Sequence, residues 1–165
     1  MAALQDKTAL VTGASRGIGR ATAATLARAG AHVLVHYGHS AREAESLVSE
    51  IRTEGGLANA ILADLGTPNG AALLAEQVRS IVSDRLDVLV LNAGISKAAR
   101  IADHTVEDFD NLFATNVRSP FFLVQQLLPV LAQGSNISSI GAYAVVGKPG
   151  LDTLRSLPMP QPKER

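Results

Sequence analysis

No cysteine occurs among the 165 residues, which removes disulfide frameworks, thiolate nucleophiles and thiolate-rich zinc sites together. A reducing cytoplasm is the expected location. Charge of one sign is lacking too, since 15 Lys and Arg balance 15 Asp and Glu. No net field then recruits a polyanion, so neither nucleic acid nor an acidic membrane surface is an expected partner. The chain has no uninterrupted apolar run of about 18 residues, and Met1 to Thr12 has no basic patch followed by an apolar stretch and a cleavage site. Neither a membrane span nor an export signal is expected. The four histidines, His32, His36, His39 and His104, come without a carboxylate ligand set, so they are read as structural or exposed and no metal site is expected.

What is present is the pattern of one globular α/β unit, with 47% hydrophobic and 18% charged residues. Short apolar runs of β type fall at Thr8 to Thr12, His32 to Tyr37, Ala58 to Ala63, Leu86 to Leu91 and Asn136 to Ser138. Between them lie helical stretches, Gly17 to Ala29, Ala41 to Glu54, Asn69 to Val82, Val106 to Phe113 and Asn116 to Gln133. Gly30 and the pair Gly55 and Gly56 are helix stops, and Pro120 and Pro129 should start, kink or end the fifth helix. This alternation, with right-handed crossovers, predicts a doubly wound parallel sheet in strand order 3-2-1-4-5 with helices on both faces. The domain is expected over residues 1–150, followed by a proline-rich tail, 151–165, without fixed structure of its own.

After the first strand come Thr12, Gly13, Ala14, Ser15, Arg16, Gly17, Ile18 and Gly19. Gly13 suits a tight turn, while Gly17 and Gly19 suit a backbone that approaches a pyrophosphate closely, with the amides of the next helix aimed at the anion. An ordinary glycine-rich turn between strand and helix is the plain alternative. A Walker loop is a weaker rival, because no Gly-Lys-Ser/Thr closes the segment.

With this loop, Asp64 after the third strand, Asn92-Ala93-Gly94 after the fourth, Asn116 in the fifth helix and Asn136-Ile137-Ser138-Ser139 at the fifth strand, the chain resembles the short-chain dehydrogenase/reductase family. The resemblance covers residues 6–150. It implies that Gly13, Ser15, Arg16, Gly17, Ile18 and Gly19 hold a dinucleotide, that Asp64 and the backbone of Leu65 meet the adenine, and that Asn92, Ala93 and Gly94 lie along its ribose. Asp64 could equally be a turn or helix cap. Leu91 stands where the family often has Asn. Asn116 is implied to continue a proton relay, although a plain polar helix residue is the alternative. Ser139 resembles the catalytic Ser that hydrogen-bonds the substrate oxygen.

A site that prefers NAD usually offers a carboxylate about 20 residues beyond the glycines. Here the zone reads Tyr37, Gly38, His39, Ser40, Ala41, Arg42, with no acid before Glu43. Tyr37 and Arg42 are therefore candidate cofactor contacts, and Arg16 with Arg42 could grip a 2′-phosphate, which favours NADP(H) over NAD(H). Both arginines could instead be merely solvated.

The family's proton donor is a Tyr with a Lys four positions later, well beyond the catalytic Ser. Past Ser139 the sequence has only Tyr143, and Lys148 follows it by five. Tyr143 is read as a loop or packing residue. The expected function is carbonyl or alcohol hydride transfer by descent, on a truncated or naturally short chain that is inactive alone. Alternatives are a non-catalytic dinucleotide-binding or interaction module that pairs with a full-length relative, or a fragment without function. The fifth strand would then be a sheet edge, and Phe121, Phe122, Val124, Leu127, Leu128 and Leu131 would be an apolar face open to self-association.

Overall fold

A computed structural model describes residues 3–82 and 84–140. The expected tail, together with Tyr143 and Lys148, lies outside the described residues. The strands are β1 (Thr8–Val11), β2 (His32–Tyr37), β3 (Leu57–Leu62), β4 (Val88–Leu91) and β5 (Asn136–Ser139). They form one parallel sheet in the order β3-β2-β1-β4-β5, the order that the alternating pattern predicts. The helices are α1 (Gly17–Arg28), α2 (Ala41–Thr53), α3 (Gly70–Val82), α4 (Val106–Phe113) and α5 (Ser119–Leu127).

Side chains of period two divide the core between the two faces of the sheet. Leu10, Leu34 and Leu89 point to one face and are buried with Leu74 and Val78 of α3 and Leu123 and Leu127 of α5. Ala9, Val11, Val33, Val35 and Val90 point to the other and meet Ala23 and Ala27 of α1 and Leu47 and Ile51 of α2. Each fully buried Leu or Val contributes about 1.5 to 3 kcal/mol relative to exposure, so both faces need their helices. Gly30 and Gly55, at φ 99° and 85°, end α1 and α2 in the left-handed conformation that favours glycine.

Asp87 fastens the opposite end of the sheet from the glycine loop. Its carboxylate accepts from the Thr8 amide at 3.0 Å, Arg85 Nε at 2.6 Å and Lys7 Nζ at 3.2 Å, tying the starts of β1 and β4 together. Burial pushes this carboxyl up, but the Thr8 amide and the two cations outweigh it and hold it below the usual value.

The expected fifth helix, Asn116 to Gln133, is three pieces. Ala114–Arg118 forms a π-helical turn, α5 follows with Pro120 in its first turn, and a 3₁₀ turn at Leu128–Val130 contains Pro129. Proline at each junction lacks the amide that an uninterrupted helix needs, which explains the segmentation. The apolar face expected to be open divides as well. Leu127 is buried, Val124 and Leu131 pack partly against the same cluster, and Phe121, Phe122 and Leu128 are exposed. Among the described residues no helix is long and apolar enough to cross a membrane.

Candidate cofactor site

A cleft of about 560 Å³ opens at the carboxyl ends of β1 to β4, the end of a parallel sheet where ligands bind. The chain leaves β1 and turns at Gly13, φ 63°, and again at Gly17, φ 57°, before entering α1. From Ser15 to Gly19 no amide meets an acceptor among the described residues, and the first helical bond runs from Arg20 N–H to the Arg16 carbonyl at 3.2 Å. A run of open amides at a helix start is an anion-binding concavity, so the loop fits a dinucleotide pyrophosphate.

The three glycines serve different needs. A Cβ on Gly13 would come within 2.9 Å of Ala93 Cα, whereas one on Gly17 would meet nothing within 4 Å. At Gly19 a Cβ would overlap the Gly13 carbonyl and the Asn92 side chain. Gly19 thus lets α1 sit against the loop and β4, a packing constraint additional to the phosphate clearance that its place in the motif predicts. Gly17 is the glycine whose free side is open.

The ends of β1 and β4 are locked to each other. Asn92 Nδ2 donates to the carbonyls of Thr12 and Gly13 at 2.9 and 3.0 Å, while Thr12 Oγ accepts the amides of Asn92 and Ala93, both at 2.9 Å. Ala93 and Gly94 line the cleft beside Asn92. Leu91 packs against the core cluster that includes α3 and α5.

Across the cleft, Asp64 is exposed and its Oδ1 accepts the Gly66 amide at 2.9 Å. The turn-capping role is therefore present, and the same residue, with Leu65, also lines the cleft. Tyr37 packs against the cluster of α1 and α2 and is not a cleft residue; its neighbour His36 is. Arg42 lies in an adjoining groove with Ser15, Arg16 and Gly17. Among the described residues neither Arg16 nor Arg42 makes an ion pair, whereas Arg20 is held by Glu50 at 2.6 Å.

Asn116 sits in the π-helical turn, where its Oδ1 accepts the Ile95 amide at 2.9 Å and its Nδ2 donates to the Ile95 carbonyl at 2.8 Å. A π turn displaces the helix locally and recurs at functional sites. Here it brings a helix residue onto the loop after β4. Ser139 ends β5 opposite Leu91 of β4, and with Asn116 it lines a small cavity of about 30 Å³.

Two site residues escape the sequence reading. Thr12 reads there as the end of a strand, and only the adjacent glycine hints that its hydroxyl fastens β4. His36 reads as a strand residue, yet its ring is buried at the cleft wall, accepting the Gly13 amide at 3.0 Å and lying 2.9 Å from the Ala63 carbonyl. Burial pushes its pKa down to about 4, with the Ala63 bond opposing the shift in part.

Comparisons with known proteins place this geometry. The family model for short chain dehydrogenase matches residues 7–150. Versicolorin reductase 1 of Aspergillus parasiticus is 42% identical over 149 residues, covering 88% of this chain and 56% of that protein. Hydroxynaphthalene reductase arp2 of Aspergillus fumigatus is 40% identical, covering 89% and 54%. The chain therefore spans about half the length of the curated relatives it matches. Among solved structures, landomycin C-6 ketoreductase LanV with bound NADP and rabelomycin superposes with a TM-score of 0.79 at 42% identity, over 83% of this chain and 58% of that one. A short chain dehydrogenase from Burkholderia cenocepacia in complex with NADP gives 0.79 at 40% identity, over 83% and 56%. Sequence match and sheet order agree along the same stretch, and the chain belongs to the short-chain dehydrogenase family.

Proposed function

We propose that this chain binds NADP(H) in preference to NAD(H) and derives from a reductase that exchanges a carbonyl for an alcohol. The observation that carries the cofactor preference is the groove shared by Arg16 and Arg42 beside the cleft. Two guanidinium groups free of ion pairs among the described residues suit a 2′-phosphate, and a cationic fork binds phosphate in a way NAD(H) cannot use. The NADP-bound relatives support the same reading. In it, Ser15 to Gly19 take the pyrophosphate on their amides, Asp64 and Leu65 border the adenine, and Asn92 to Gly94 border the ribose.

When bound, the nicotinamide supplies or accepts the hydride. The chain's own part is to orient the substrate: Ser139 Oγ donates to the carbonyl oxygen, and Asn116 holds the loop after β4 in place through Ile95. A proton must also reach the developing alkoxide. The 165 residues contain no Tyr followed four positions later by Lys, so we propose that this stretch by itself binds cofactor without turning substrate over. A cytoplasmic setting accords with that chemistry and with a cysteine-free chain.

Titration with NADPH and NADH tests the preference, and NADH binding about tenfold tighter, about 1.4 kcal/mol in the opposite sense, would overturn it. Absorbance assays with aldehydes, ketones and quinones, including the hydroxynaphthalene type named for one relative, test the second statement. Turnover near 1 per second, within the ordinary range of about 1 to 10³ per second, that vanished in Tyr143→Phe would make Tyr143 the proton donor.

A second reading rests on exposed apolar residues. Phe109 and Phe113 of α4 stack with centroids 4.2 Å apart, and Phe121, Phe122 and Leu128 are exposed on and after α5. Exposed aromatic pairs of this kind suit a non-catalytic module that pairs with a full-length relative or with itself, and co-purification with such a relative separates it from the first reading.

A further inference from the structure

One side chain joins the glycine loop to the ends of two strands. His36 is the fifth residue of β2, and only 2% of it is exposed. Gly13 N–H donates to its Nδ1 at 3.0 Å, Ala14 N–H donates to its backbone carbonyl at 2.8 Å, and its Nε2 lies 2.9 Å from the Ala63 carbonyl. A carbonyl oxygen has no proton to give, so Nε2 carries the hydrogen and Nδ1 the lone pair. The tautomer follows from the partners alone.

Each partner has a place in the site. Gly13 opens the loop at a φ of 63°, and beyond Ala14 the amides from Ser15 to Gly19 meet no acceptor among the described residues. Ala63 precedes Asp64, at the far wall of the cleft. A buried histidine with both nitrogens satisfied is ordinarily a packing residue. Here the two bonds span the cleft wall from the pyrophosphate end to the adenine end.

We infer that His36 is a positioning residue for the cofactor: its Nδ1 fixes the Gly13 peptide, and with it the run of amides from Ser15 to Gly19, while its Nε2–H fixes the backbone leading into Asp64. This rests on the dinucleotide reading above. The two bonds are unequal in weight. An orphaned buried N–H is tolerated less than a carbonyl with one lone pair unused, so the bond to Gly13 dominates.

Two substitutions separate the bonds by reach. The Oδ1 of Asn stands about where Nδ1 of His stands, and the Nε2 of Gln about where Nε2 stands. His36→Asn keeps the acceptor for Gly13, and His36→Gln keeps the donor to Ala63. NADPH titration of the 165-residue chain should then show His36→Asn within about threefold of native and His36→Gln weakened about tenfold. Amide NMR gives a readout that general packing damage would not reproduce: the Gly13 resonance keeps its hydrogen-bonded position in His36→Asn and loses it in His36→Gln. The ring nitrogen spectrum of the native protein should show the Nε2–H tautomer, which tests the geometry even if a variant fails to fold. An Nδ1–H tautomer, or equal binding by the two variants while the native chain binds NADPH, overturns the inference alone. A native chain that does not bind NADPH overturns the cofactor reading, and this inference with it.

Discussion

Replacing Gly19 by Ala should damage folding more than binding, and replacing Gly17 by Ala should do the reverse. A Cβ at Gly19 overlaps the Gly13 carbonyl and Asn92 Nδ2, the group that donates to Thr12 and Gly13 at 2.9 and 3.0 Å. Displacing Asn92 loses two hydrogen bonds, about 1 kcal/mol each, and forced overpacking adds about 1 to 3 kcal/mol. Ala recovers about 1 kcal/mol of helix propensity over Gly. The net loss is about 2 to 4 kcal/mol. At Gly17 the Cβ meets nothing within 4 Å, so the penalty is the φ of 57° alone, about 1 to 2 kcal/mol. That methyl stands in the open space next to the unpaired amides, so anion approach suffers. Urea unfolding followed by far-UV circular dichroism measures the first effect, and NADPH titration of the folded variants measures the second. A Gly19→Ala variant within about 0.5 kcal/mol of native, the spread of ordinary surface changes, would refute the packing role assigned to that glycine.

Arg16→Ser combined with Arg42→Ser should weaken NADPH about tenfold or more and NADH by less than about twofold, since only a 2′-phosphate uses these charges; equal losses would show that both arginines are merely solvated. Stability should also fall with acid through His36. Its pKa in the folded chain is about 4 against 6.5 for the free group, so the unfolded chain takes up the proton first. The neutral ring's full contribution is present above pH 6.5 and is lost as pH falls to about 4. The shift is worth about 3 kcal/mol, and unfolding curves of His36→Asn should lack that part of the pH dependence; an unchanged slope would mean that other groups carry it.

The sheet order was legible because its causes are local: apolar runs of strand length alternate with helical stretches, and glycines mark helix ends. The glycine loop was legible for the same reason. The job of each residue within it was not. Gly19 looks like a phosphate glycine by spacing, but its constraint comes from Asn92, 73 positions away in the sequence and pressed against it by the pairing of β1 with β4. His36 was hidden more completely, since its partners are the backbone atoms of Gly13 and Ala63. Backbone partners leave no residue type for a motif to register. In the π-helical turn at Ala114–Arg118, the sequence assigns Asn116 to Arg118 to plain helix and Ala114 and Thr115 to the gap before it, because composition cannot reveal a widened turn; what accompanies the turn is the pair of Asn116 bonds to Ile95.

On the proposed reading, cofactor binding and substrate turnover are separable because the larger part of the cofactor cleft is built without Ser139 and Asn116. The cleft for the dinucleotide is built from the ends of β1 to β4 with Asn111 and Thr115 beside it, all between Gly13 and Thr115. Its floor is held by bonds that close within residues 12–115, Thr12 with Asn92, His36 with Gly13, and Asn92 with Gly13. Ser139 and Asn116 line a small cavity that adjoins the cleft and shares Leu65, Ala93 and Thr115 with it; its volume is about 30 Å³, that of about one water and far below the roughly 300 Å³ at which small-molecule pockets begin. On that reading, affinity for NADPH reports on the cleft lined by the described residues. A rate would draw in addition on a substrate pocket and a proton donor. A substitution such as Gly17→Ala can accordingly be read by binding alone, with no assumption about what the rest of the active site does.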